Sequence, residues 1–219
     1  KVIFEEINND LGLKFSYQWT TCDKYGFVKT SSIKNLNNDD ITVTLLDGFQ
    51  NILPWGLDES IQNNTSNLAD AYKRNELDKG SKIGIFALSA TIVDRAEPSE
   101  ALKSNIVFHL GLKENKVLLS SLQLDAFRKG FDINEETDIK AEKGAYFVQS
   151  SFCLKGGQKE EKRSPRGTTA GPGPGARGRA EESGMDRIGK ANFAVRQAKS
   201  RRAAESTWDY HQVAEKRGV

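Results

Sequence analysis

Apolar side chains recur at every second position through much of the first 154 residues, the period of a strand with one face in a core. Ile41, Val43 and Leu45 alternate with Thr42 and Thr44. The preceding Asn37-Asn38-Asp39-Asp40 is turn chemistry, because Asn and Asp accept left-handed backbone and bond their own main chain. A hairpin from Gly26 to Leu46 is therefore expected. Ile106, Phe108, Leu110 and Leu112 share a second face, and a turn at Lys113 to Lys116 leads into Val117-Leu118-Leu119 as a second hairpin. Tyr146, Val148, Phe152 and Leu154 make a third face. Ile83 to Val93 is apolar on both sides, which predicts a central strand covered above and below. Leu57, Ile61, Leu68 and Tyr72 fall at helical spacing and predict one amphipathic helix, although its many Asn residues are poor helix formers. Ser121 to Lys129 is a short second helix or a turn. Many strands and few helices predict a mainly β fold, an antiparallel β-sandwich.

Composition divides the chain near residue 156. Residues 1–156 hold 15 Lys, 3 Arg and 13 Asn, whereas 157–219 hold 5 Lys, 9 Arg and only Asn192. The total charge of +2 hides 18 basic against 22 acidic residues before the break, a net −4, and 14 against 8 after it, a net +6. Residues 1–155 are long enough to bury a real core and are expected to be the sandwich. Residues 156–187, which include GTTAGPGPGARGRA, bury too little to offset the entropy of ordering and are expected to be a disordered linker. Residues 188–219 form a basic tail. A helix over Ile188 to Val213 would present Phe193, Arg196, Lys199, Arg201 and Arg202 to an acidic partner such as nucleic acid. The alternative, a shifted reading frame or junction with no evolved role, is favoured, and nucleic acid is not the expected partner.

No apolar run approaches the ~20 residues that cross a bilayer, so a soluble cytoplasmic or periplasmic protein is expected. The start at Lys1 suggests a processed or truncated product. Cys22 and Cys153 either form one bridge or remain two half-buried thiols.

Long and unusual stretches carry a resemblance. They are TTCDKYGFVKTSSIKNLNNDDITVTLLDGFQNILPWG, NLADAYKRNEL, ALSATIVDRAEPSEALKSNIVFHLGL and VLLSSLQLDAFRKG, within Phe15 to Leu154. In them the chain resembles large bacterial proteins related to cellobiose phosphorylases. The resemblance implies an N-terminal supersandwich like that of galactose mutarotase, followed by a separate (α/α)₆ barrel that carries the catalytic carboxylates. No such barrel fits in the residues after Leu154. The expected object is an incomplete, non-catalytic sandwich that helps shape an active-site rim.

The candidate carbohydrate contacts are Trp55, Gln50, Asn51, Asp94, Arg95 and Glu97. A flat indole stacks on a pyranose, and amides serve both its donors and its acceptors. Trp55 could equally plug the sandwich end or pack on the helix from Leu57, and Trp19 belongs in the core. Asp94, Glu97 and Glu100 around Arg95 suggest paired carboxylates, against the plainer reading of a capped strand end with neutralised acids. His109 is either on a polar face or a satisfied histidine between layers. Asn63-Asn64-Thr65 and Asn64-Thr65-Ser66 match the glycosylation rule by chance spacing. The sequence contains no Gly-x-Ser-x-Gly elbow and no phosphate loop ending in Gly-Lys-Ser or Gly-Lys-Thr. No catalytic residue, metal ligand or cofactor is assigned.

Overall fold

The alternating segments fold into two antiparallel sheets packed face to face. The computed structural model describes residues 2–22, 26–92, 101–112 and 115–156, together with the backbone strands 168–172, 193–197 and 207–209. In chain order the elements are β1 (Val2–Asn8), β2 (Leu13–Cys22), β3 (Gly26–Asn35), β4 (Ile41–Ile52), α1 (Glu59–Asn64), α2 (Ser66–Ala71), β5 (Lys73–Asp78), β6 (Ile83–Leu88) and β7 (Ser104–Phe108). There follow β8 (Asn115–Leu118), α3 (Leu124–Arg128), β9 (Asp138–Lys140), β10 (Gly144–Leu154), β11 (Thr168–Pro172), β12 (Phe193–Gln197) and β13 (Thr207–Asp209). The larger sheet runs β1-β2-β3-β11-β7-β6-β5-β9, and the smaller runs β13-β12-β4-β10-β8. The fold is a mainly β antiparallel sandwich, as the alternation predicts.

Between the sheets lie two apolar clusters. Leu11, Leu13, Phe15, Ile33, Ile41, Val43, Leu45 and Leu154 fill one end, and Phe49, Phe86, Val107, Val117, Tyr146 and Val148 belong to the other. A third cluster, including Leu46, Leu118, Phe127, Ile133 and Phe147, covers the outer face of the smaller sheet beneath α3. Strands β4 and β10 are therefore buried on both faces, and they pair from Ile41↔Leu154 to Ile52↔Gly144. The face expected from Tyr146, Val148 and Leu154 points into the core, with Phe152 half-buried.

Several expectations about connections need correction. Gly26 to Leu46 is not a hairpin: β3 pairs with β2 and β11, while β4 pairs with β10 and β12. The turn at Asn37 to Asp40 carries the chain from one sheet to the other, and the Asn35 amide ties it down by donating to the carbonyls of Asp39 at 2.8 Å and Leu154 at 3.2 Å. Both strands carry an inward apolar face, and those faces are satisfied by meeting across the sandwich rather than by lying side by side. The same reason separates β7 from β8, which belong to different sheets. The inward residue of β7 is Val107, paired opposite Gly84, so Ile106 and Phe108 are only half-buried and Leu110 is exposed. Strand β6 is fully buried on one side only among the described residues. Gly84, Phe86 and Leu88 are buried, while Ile83, Ile85 and Ala87 are half-buried.

The single helix expected from Leu57 to Tyr72 is two short ones. It breaks at Thr65, whose backbone leaves the helical region (φ −134°, ψ 49°) and whose hydroxyl donates to the Ile61 carbonyl at 2.8 Å. Ala69 is buried there and Leu68 is exposed. Of the short helix or turn expected over Ser121 to Lys129, the helix forms, as α3.

Inside the segment expected to be a disordered linker, residues 168–172 are a strand that joins β3 to β7. In the basic tail, where a helix over 188–213 was one reading and a junction with no evolved role the favoured one, residues 193–197 and 207–209 are strands, with β12 running along β4. The edge of β4 opposite β10 offers backbone amides and carbonyls that such a segment can pair with.

Gly48 lies opposite Phe147 of β10, with that strand's backbone close against it. A Cβ there would stand 1.9 Å from the Tyr146 carbonyl oxygen and 2.7 Å from the Phe147 Cα. Neither atom can yield without moving the central strand. Gly48→Ala is expected to destabilise the protein by an amount at the upper end of the about 1–3 kcal/mol that overpacking costs. A shift of the urea midpoint to lower concentration, with an unchanged slope, is the measurement that checks it.

Candidate functional site

The C-terminal end of β4 gathers three of the residues singled out in the sequence. Gln50 and Asn51 close the strand, and Trp55 stands in the turn that follows. Asn51 is the extra residue of a β-bulge: Gln50 faces Ala145 and Ile52 faces Gly144, and Asn51 takes a left-handed φ of 56°. Asn is among the few side chains that accept this region readily. The bulge leaves the Asn51 side chain exposed.

The neighbouring loops hold this rim in place. The Gln50 amide nitrogen donates to the Ser121 hydroxyl at 3.0 Å. Ser121 follows a loop organised by the buried Glu136 carboxylate, which accepts from the backbone nitrogens of Leu119 and Ser120 at 2.7 and 2.8 Å, and from the Ser120 hydroxyl and the Gln123 amide. On the other flank the Asn105 amide donates to the Leu53 carbonyl at 2.8 Å, which fixes the start of the turn to β7. Pro54 is buried, Trp55 is half-buried and Gly56 turns the chain at a φ of 80°. Asp58 caps α1 by accepting from the Ser60 nitrogen at 2.7 Å, and that bond holds its carboxyl below the ordinary range.

The Trp55 ring is accessible but not bare. The Lys103 ammonium lies 4.2 Å from the ring centroid, a cation–π contact. At exposed sites such a contact is worth about 0.5–1 kcal/mol. A flat ligand that displaced the lysine from this face would forfeit only that much. Neither Lys103 nor Ser121 stands out in the sequence, since each is an ordinary polar residue brought to the rim by a strand start or loop distant along the chain. Asp94, Arg95 and Glu97, and Glu100 beside them, lie outside the described residues. Trp19 is half-buried, its ring 5.3 Å from that of Phe49 at the edge of the core. Cys153 is a free, exposed thiol, and the Cys22 side chain lies outside the described residues. Among the described residues there is no group of three or more His, Cys, Asp or Glu positioned to hold a metal ion, and no helix long and apolar enough to cross a membrane.

A second polar arrangement surrounds His109. The Tyr146 hydroxyl donates its one proton to the Lys82 carbonyl at 2.6 Å. The 2.8 Å contact between that oxygen and His109 Nδ1 then requires the imidazole to donate, which selects the Nδ1–H tautomer. Burial, helped by the charge on Glu135, pushes the Tyr146 phenol up and keeps it protonated. Burial, helped by the charge on Lys82, holds His109 below its ordinary range. It is the satisfied histidine between layers rather than a surface residue.

A third arrangement was missed. Lys29, Ser31 and Asp47 are buried between the sheets, with the lysine and aspartate side chains only 0% and 2% exposed. The signal was present, since Asp47 follows Ile41, Val43 and Leu45 on one face of β4, and Lys29 and Ser31 precede Ile33 on one face of β3. The period of two places these polar residues inside, each on the same face as apolar neighbours.

No known family's sequence profile matches this chain, and no curated protein matches it.

The depressed histidine makes stability depend on pH. Unfolded, His109 titrates near 6.5; folded, it titrates lower, so the unfolded chain binds more protons across the interval between the two. The stabilisation is complete above pH 6.5 and is lost as the pH falls through 6.5 towards the folded value. Urea midpoints measured from neutral pH downwards should therefore fall more steeply for the parent than for His109→Gln. Parallel curves would contradict the assignment.

Proposed function

We propose that residues 1–155 are the non-catalytic β-sandwich module of a carbohydrate-active protein resembling the glycoside phosphorylases, with a sugar-contact rim at Trp55, Gln50 and Asn51. The observation that carries this reading is the end of β4, where a bulge leaves the Asn51 amide exposed four residues before the half-buried Trp55. Pyranose rings present an axial C–H face that packs on indole and equatorial hydroxyls that need both donors and acceptors. Trp55 supplies the first requirement and the two amides supply the second. The two-sheet antiparallel architecture agrees with what the resemblance implies for such a module. In this reading the rim orients an oligosaccharide, and the chemistry belongs to another domain of the parent protein.

Titration with a series of gluco-oligosaccharides, followed by tryptophan fluorescence, is expected to give a saturable change that Trp55→Ala abolishes. Trp55→Ala also forfeits the Lys103 contact, about 0.5–1 kcal/mol, and part of the packing of a half-buried ring, so the variant should unfold at a somewhat lower urea concentration than the parent while keeping a single cooperative transition. No saturable change with any glycan would reject the contact site. Incubation with cellobiose and phosphate is expected to release no glucose 1-phosphate. Turnover at an enzyme-like rate would reject the accessory role.

A further inference from the structure

We infer that Lys29 and Asp47 are the partners of an intramolecular isopeptide bond that joins the two sheets covalently. Lys29 lies on β3 of the larger sheet and Asp47 on β4 of the smaller, and the Lys29 Nζ is in direct contact with Asp47 Oδ1. The pair occupies the middle of the sandwich, between Leu45 of one apolar cluster and Phe49 of the other. The lysine side chain is 0% exposed and the aspartate 2%. Tyr17 and Phe49 stand beside the nitrogen, with ring centroids 5.1 and 6.0 Å away. The Ser31 hydroxyl donates to Asp47 Oδ2 at 2.6 Å, and the Gly48 carbonyl accepts from Nζ at 3.3 Å.

The chemistry follows from this placement. The reaction begins with transfer of one proton from the ammonium to the carboxylate in contact with it, which gives an amine facing a carboxylic acid. The amine lone pair attacks Asp47 Cγ, the Nζ–Cγ bond forms and a tetrahedral centre results. The bond from Cγ to one oxygen then breaks, and that oxygen leaves as water with its own proton and one from the nitrogen. No oxidant, reductant or activated co-reactant is needed. Holding the groups in contact supplies the proximity that makes amide condensation rapid in a folded site, although it is slow in water. Ser31, bonded to Oδ2, positions the carboxyl group and places a hydroxyl where a proton must pass to the departing oxygen. The aromatic walls exclude water from the product amide and so oppose its hydrolysis. The bond closes a loop between residues 18 positions apart and constrains the unfolded chain as any cross-link does.

Intact-mass measurement of the purified full chain, denatured just before analysis, tests the bond directly. The mass is expected to be one water below that calculated from the sequence. Trypsin should fail to cut after Lys29, and tandem spectra should place the linkage between Lys29 and Asp47. Lys29→Met is expected to show the full calculated mass. A folded parent protein with the full calculated mass and normal cleavage after Lys29 would overturn the inference and leave a plain buried ion pair. The readout needs no carbohydrate, so its failure is distinct from failure of the sugar-contact site.

Discussion

An aspartate in the middle of a strand that is buried on both faces is tolerated only if another group cancels its charge, and here that group must come from the opposite sheet. Asp47 meets Lys29 and Ser31 across the sandwich. Breaking a buried charge pair by removing one partner costs about 3–5 kcal/mol, because the other charge is stranded. The contact therefore acts as a register pin: sliding β3 past β4 by two residues would leave Asp47 only one of its two partners and set Ile33 or Phe27 in place of the other. The positions of Leu45 and Phe49, and with them the two apolar clusters, follow from that alignment.

The smaller sheet is the structural spine because it is covered twice. Its inner face meets the larger sheet, and its outer face lies under α3 and the Ile133 segment. Such cover requires apolar residues at consecutive positions, as in Ala145-Tyr146-Phe147-Val148, together with a residue small enough to let two backbones close up at Gly48. The larger sheet is one-sided over most of its width, which is why β6 keeps only Gly84, Phe86 and Leu88 inside. In that sheet β3 and β7 are not direct neighbours; β11 lies between them and pairs with both.

The rim beyond β4 depends on the same spine. The β4–β10 pairing changes register at Asn51, and the resulting bulge turns one amide outward just before the Trp55 turn. Glu136 fixes the neighbouring loop by accepting four hydrogen bonds, and through Ser121 that loop holds Gln50. A polar surface arrangement is thus anchored by a buried carboxylate. The same economy appears at His109, where one phenolic proton settles the tautomer of a half-buried imidazole.

The sequence by itself determined several of the strands, the sandwich class and the inward face of β4, because alternation depends only on neighbours along one strand. It also placed the turn at Asn37 to Asp40, the short helix α3 and the loop position of Trp55, each written in local chemistry. It did not determine which strands pair. Hairpin and sheet-crossing connections use the same turn residues, and the choice rests on which faces must cover each other across the core. For that reason β3–β4 and β7–β8 were misjudged, and Val107 rather than Ile106 points inward. Only the tertiary structure brought Lys29 to Asp47, Ser121 to Gln50 and Lys103 to Trp55, since each contact joins separate elements of the chain. Local pattern fixes which way a side chain faces, whereas its partner is set by long-range packing.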